Sequence, residues 1–156
     1  MQGRVYIAEV SAVAVSAIQD FWELNCPSDA VLALLSIRIS QYSDVGDAAS
    51  EILPVIISRT TTGGAGSGGS TPTARPAHVG TVAFGGSVEA NNTTQASTTT
   101  EILSDSFNIR SGWLYQPPEK EIIWMSPSGI LVVELPVAPA DAVTMQGTIT
   151  FEVFGG

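Results

Sequence analysis

One motif occurs twice in this chain. Pro27-Ser28-Asp29-Ala30-Val31 leads into the run Leu35-Ser36-Ile37-Arg38-Ile39. Pro139-Ala140-Asp141-Ala142-Val143 leads into Thr148-Ile149-Thr150-Phe151-Glu152-Val153. Glu-Leu precedes each copy, at Glu23-Leu24 and at Glu134-Leu135, with one residue of slip. In the first run Leu35, Ile37 and Ile39 take one face and Ser36 and Arg38 the other, which is the period of a half-buried strand. Two matching strand–turn–strand units predict a sheet-rich domain with equivalent turns at related corners.

Strand signals dominate the rest. Residues 4–15 are rich in Val, with Tyr6 and Ile7, and predict an extended strand apolar on both faces. Residues 18–24, 52–61, 80–89, 102–109, 121–125, 130–135 and 148–154 predict further strands. Pro54 points to a sheet edge or a strand start. Gly85-Gly86 predicts a bulge or bend, Asn91-Asn92-Thr93-Thr94 a turn, and Ser126-Pro127-Ser128-Gly129 a hairpin-like turn. Residues 44–52 predict at most one helical turn. Roughly eight strands at the ~8–12-residue spacing of turn signals predict an all-β, two-sheet β-sandwich of jelly-roll type.

At 156 residues the chain fits one domain, residues 1–156, large enough for a core without disulfide staples. Residues 62–72 are almost all Gly, Ser and Thr and can bury little, so residues 62–78 are expected to form a flexible arm or loop of that domain. Residues 5–18 are interrupted by Glu9, Ser11 and Ser16 and lack a basic leader, so the mature protein is expected to begin at or near Met1.

Charge excludes several functions. The formal net charge is −9, Lys120 is the only lysine, and the arginines are scattered, which excludes neutralising a phosphate backbone or an anionic membrane. Charged residues make up 13% of the chain and mean hydropathy is +0.26, well below the ~25–35% charge of a typical soluble surface. A surface so poor in charge is suited to contact with other protein, because few groups must be desolvated.

Chemistry is sparsely signalled. Cys26 is the only cysteine, so no intrachain disulfide forms, and it reads as a small buried hydrophobe. His78 is the only histidine and has no serine or cysteine partner marked near it; a loop position is expected. One His and one Cys cannot make a His/Cys zinc site within one chain. Asp44, Asp47 and Glu51 form the densest acidic cluster, a solvated turn or, alternatively, a calcium site. Asp29 and Asp141 are expected to hold their turns by accepting backbone N–H groups. Trp113, Tyr115 and Trp124 are either packed aromatics or a sugar-stacking face. No catalytic, cofactor or metal residue is assigned.

The run Ile37-Arg38-Ile39-Ser40-Gln41-Tyr42-Ser43-Asp44-Val45-Gly46-Asp47-Ala48, then Pro54-Val55-Ile56-Ile57-Ser58-Arg59, the Gly/Ser arm and the closing Ala138-Pro139-Ala140-Asp141 with Gly147-Thr148-Ile149-Thr150-Phe151-Glu152 resemble small all-β proteins encoded among the head genes of tailed bacteriophages. That group includes jelly-roll decoration, or cement, proteins. The resemblance implies a non-enzymatic virion protein on the outer capsid surface, made in the host cytoplasm. It implies binding to the major capsid protein and homo-oligomerisation, with a trimer favoured. It transfers no functional residue. A carbohydrate-binding sandwich for host attachment is the alternative, and a hydrolase on the same fold is a third reading.

Overall fold

The structure is a computed structural model and describes residues 3–43 and 50–156. Among the described residues eleven strands run in chain order: β1 (Arg4–Val15), β2 (Gln19–Asn25), β3 (Ala30–Ser43), β4 (Ile52–Thr61), β5 (Arg75–Pro76), β6 (Ser87–Asn92), β7 (Thr100–Asn108), β8 (Trp113–Tyr115), β9 (Trp124–Met125), β10 (Gly129–Leu135) and β11 (Val143–Gly155). They form two antiparallel sheets. Sheet A has the order β5-β1-β11-β3-β8, with β9 also on β3; sheet B has the order β6-β2-β10-β4-β7.

This order is that of a jelly roll. Its eight principal strands make β1-β11-β3-β8 in one sheet and β2-β10-β4-β7 in the other, and the chain passes from sheet to sheet at each corner except between β4 and β7. The long connection there carries β5 and β6, which extend the two sheets on one side.

The repeated motif explains the centre. β2 pairs with β10 in sheet B, with Leu24 opposite Leu131, and β3 pairs with β11 in sheet A, with Ala30 opposite Gly155. The two units therefore lie side by side and antiparallel in both sheets, related by an approximate two-fold axis. Their Pro-x-Asp-Ala-Val turns fall at opposite ends of the sandwich. Ile37 and Ile39 point inward as the sequence predicts, but Leu35 does not join them: a bulge between Leu34 and Ser36 turns Leu35 outward and buries Leu34 in its place. Leu34, Ile37 and Ile39 from β3 and Met145, Ile149, Phe151 and Val153 from β11 are buried against Leu24, Leu131, Val133, Val55 and Ile57 of sheet B.

Several boundaries differ from expectation. The strand expected at residues 80–89 is β6, shifted to Ser87–Asn92, because the glycines at 80, 85 and 86 leave residues 77–86 as a loop. That loop drops Phe84 onto Tyr6 and Phe151, with ring centroids 5.4 and 4.9 Å away, and closes one side of the core. The turn expected at residues 91–94 begins inside β6; Asn91 has φ +61° and Asn92 still pairs with Asp20. The strand expected at 121–125 is a 3-10 turn at Glu119–Glu121 followed by the short β9. Pro54 is not on a sheet edge: β4 has neighbours on both sides, but β10 pairs only from Ile56 onward, so no ladder bond is asked of the proline nitrogen on that side. Of the helical turn expected at 44–52, residues 44–49 lie outside the described residues, and Ile52 opens β4.

Candidate functional site

The outer faces of the two sheets are unlike. On sheet B the outer face carries carboxyl groups. A register shift between Val133 and Glu134 places Glu23 opposite Val132 and Asp20 opposite Glu134, all turned outward; Glu89 and Asn92 of β6 stand opposite Glu23 and Asp20. The chain covers this face with its own Gly/Ser-rich segment. After the 3-10 turn Thr62–Gly64, the Gly66 amide donates to Glu23 Oε1 at 2.6 Å and the Gly69 amide to Asn92 Oδ1 at 3.1 Å. Ser67 exchanges backbone bonds with Thr94, and Ser70 with Ala90, at 2.9 Å. From the other side the Ala96 amide donates to Asp20 Oδ2 at 2.5 Å, and the Ser97 amide reaches the Gly64 carbonyl. The segment expected to be a flexible arm is thus laid over the sheet as a strap.

Under the strap, Asp20 and Glu23 are wholly buried. Each carboxyl has one oxygen bonded to a backbone amide; Asp20 Oδ1 and Glu23 Oε2 are left without a donor. Burial pushes the Asp20 carboxyl from 3.8 up to about 7, the nearby Glu23 and Glu134 push the same way, and the Ala96 bond opposes them. Glu134 itself accepts from the Ser58 hydroxyl.

Among the described residues nothing covers the outer face of sheet A in this way. Val5, Ile7, Val31, Leu35, Phe154, Leu114 and Trp124 lie on it, with Leu114 55% and Trp124 51% exposed. Trp124 leans on Phe154 at 5.4 Å between centroids and roofs Ala33. Charges here balance: Glu9 and Glu152 against Arg38 and Arg75, with Arg75 3.4 Å from Glu9. The acidic excess therefore sits elsewhere on the molecule.

The sequence-predicted residues separate. Trp113 is buried and donates its indole N–H to Asp105, and its ring stacks on half-buried Tyr115 at 6.0 Å. Trp124 lies further along the β3 edge, so the three aromatics do not form one platform. A groove of about 420 Å³ runs beside Tyr115, between Ile102 and Leu103 of β7 and Pro117 and Ile123. Cys26 is buried just beyond β2, its thiol donating to the Ala30 carbonyl at 3.2 Å, and burial raises its pKa. His78 is exposed on the loop after β5.

Asp44 and Asp47 lie outside the described residues. Glu51 is occupied, accepting the Ala140 amide at 2.9 Å at the second Pro-x-Asp-Ala-Val corner. Asp29 and Asp141 do not hold their turns through side-chain bonds as expected; both are exposed, and backbone contacts close the first corner, with the Ala30 and Ser128 amides on the Pro27 carbonyl. Among the described residues no three of His, Cys, Asp and Glu gather as metal ligands.

Asp20 carried no motif, and Glu23 was marked only as part of the Glu-Leu pair that precedes the repeat. The available signal was two acids inside a strand whose remaining side chains, Phe21, Trp22 and Leu24, are large and apolar: a strand covered on both faces must bury them.

The fold defines the class: an eight-stranded jelly-roll sandwich with a strapped acidic sheet and a bare neutral one. No family model matches the chain, and no curated protein matches it. Among solved structures, a mutant VP2 protein of infectious bursal disease virus in derived T=1 particles is 14% identical with TM-score 0.24, over 98% of this chain and 40% of that one. The VP2 subviral particle of the same virus is 11% identical with TM-score 0.21, over 99% of this chain and 43% of that one. The chain spans well under half of these capsid proteins. Likeness at this level carries no argument, and the jelly-roll assignment rests on the strand order.

Proposed function

We propose that the protein is a structural, non-enzymatic virion component that decorates and stabilises the outer shell of a tailed-phage capsid, binding the major capsid protein through the outer face of sheet A. In this reading it is made in the host cytoplasm and self-associates, as a trimer, on the shell. The observation that carries the reading is the uncovered, charge-balanced face bearing Trp124, Phe154 and Leu114. Large apolar and aromatic side chains among few charges are the composition of an interface core. The opposite sheet is already occupied by the strap. A staple-free sandwich closed on both sides suits a protein that must last outside a cell.

The test is co-sedimentation with capsids purified from the source virus, with stoichiometry from quantitative mass spectrometry. Saturable binding in a fixed ratio to the major shell protein supports the role. Trp124→Ser and Leu114→Ser should each weaken binding at least tenfold with the fold retained, as interface anchors do. Unchanged binding by both variants removes the sheet A face from the proposal. Absence of the protein from purified virions together with no binding removes the virion role.

A further inference from the structure

The strap covers a row of acids that has no counter-charge. Asp20 and Glu23 from β2, Glu134 from β10 and Glu89 from β6 all turn to the outer face of sheet B. From β4 the same face receives the hydroxyls of Ser58 and Thr60, and Arg59 between them has the other parity and is exposed. From the strap and from residues 93–97 come only backbone groups and small polar side chains. Among the described residues no lysine, arginine or histidine faces the pair.

Two buried carboxylates in contact with no cation are strongly unfavourable. One oxygen of each is met by a backbone amide, Ala96 on Asp20 and Gly66 on Glu23; the others, Asp20 Oδ1 and Glu23 Oε2, have no donor. The two carboxyls are close enough to hydrogen-bond to each other, so one proton held between them serves as donor from one and is accepted by the other.

We propose that Asp20 and Glu23 share one proton beneath the strap, and that this proton latches residues 64–70 onto sheet B. Ionising both acids strengthens the Ala96 bond but leaves two buried anions beside Glu134, which only water can relieve, and water enters when the strap lifts. Asp20 lies well above its ordinary range while covered and near 3.8 when hydrated, so the closed form binds more protons than the open form. The strap is therefore tightest in acid and weakens as pH rises towards about 7, where the effect levels off. The latch is independent of the capsid-binding reading.

The test is amide hydrogen exchange at Gly66 and Ala96 in the full chain between pH 5 and 8, corrected for the intrinsic rate. Expected is protection that falls by up to about tenfold per pH unit until the plateau. In Asp20→Asn the amide oxygen can accept from Ala96 and the amide nitrogen can donate to Glu23, so protection should persist and lose its pH dependence. Glu23→Gln is the second variant, with the same expectation. If neither folds, the carboxyl carbon of Asp20 is titrated by NMR in the unaltered protein: a raised midpoint supports the shared proton, an ordinary one overturns it. Flat protection in the wild type, or an unchanged pH profile in Asp20→Asn, overturns the latch. So does restoration of protection at pH 7.5 by millimolar calcium, which would assign the pair to a metal ion.

Discussion

The indole nitrogen of Trp113 donates to Asp105 Oδ2 at 3.0 Å, tying the β8 edge of sheet A to the β7 edge of sheet B. This bond is the first cause that holds the Asp105 carboxyl below its ordinary range, with the Ser106 amide second. Trp113→Phe keeps a ring in place and removes the donor, so a stability loss of about 1 kcal/mol is expected in denaturant titration. The sign with pH follows from the depressed pKa: the contribution is present above the unfolded carboxyl's value and is lost as pH falls through the folded one. The gap between wild type and Asp105→Asn should thus be open at neutral pH and close in acid. A gap constant from pH 7 to 2.5 would show that Asp105 does not act through its charge.

At Gly66 the strap touches the acids most closely. A Cβ there would stand 2.5 Å from the Thr94 carbonyl oxygen and 2.9 Å from Asp20 Oδ2, and closer still to Glu23 Oε1. Gly66→Ala should lift the strap and speed exchange of the Ser67 and Ser70 amides at least tenfold, while the far β7 and β8 edge keeps its protection. Gly63→Ala is the control, since nothing lies near its Cβ. Equal behaviour of the two would mean that the strap is held by something other than close approach.

Trp22 is fully buried and its Nε1 has no acceptor. Losing the indole therefore removes volume and also an unmet donor. Both substitutions remove the donor, so they differ in cavity size: Trp22→Phe is expected to cost no more than ~1.5 kcal/mol, because the relief offsets a small cavity, and Trp22→Ala ~3–5. A loss in Trp22→Phe well above ~1.5 kcal/mol, measured by thermal unfolding, would mean that the nitrogen finds a partner in solution.

Phe84 closes the opposite side of the sandwich from Trp113. It is half-buried between Tyr6 and Phe151, whose own rings are 5.8 Å apart. Phe84→Ala should cost about 2–3 kcal/mol, less than a fully buried ring, and expose Tyr6 to solvent. Tyr6 fluorescence unchanged on this substitution would count against Phe84 as the closure.

The central strands were legible because side-chain alternation runs through β11 and through Ile37 to Ile39 of β3, and the doubled turn motif showed which strands correspond; the bulge that turns Leu35 outward left no mark in the sequence. Glu23 and Glu134, equivalent in the repeat, both turn to the outer face of sheet B, a relation written in the sequence that only the pairing register makes visible. The strap was not legible. A run of glycines announces conformational freedom, yet at Gly66 the missing side chain serves close approach to Glu23, and that depends on residues more than forty positions upstream. The position of β6 was lost for a similar reason: Thr81 to Phe84 read as a strand, but Phe84 is claimed by the core of sheet A instead of a ladder in sheet B. Sequence reasoning assigned Asp20 and Glu23 no role, because their common direction depends on the bulge beside them.

A body with one strapped face and one bare face has a built-in up and down. Laid against any larger surface through Trp124, it presents strap, acids and the Gly/Ser-rich bridge outward, and every copy does so the same way. If the proposed docking through the sheet A face holds, a passenger peptide spliced into the bridge near the solvent-open Gly63 would be carried facing away from the docked surface, at one copy per docked molecule.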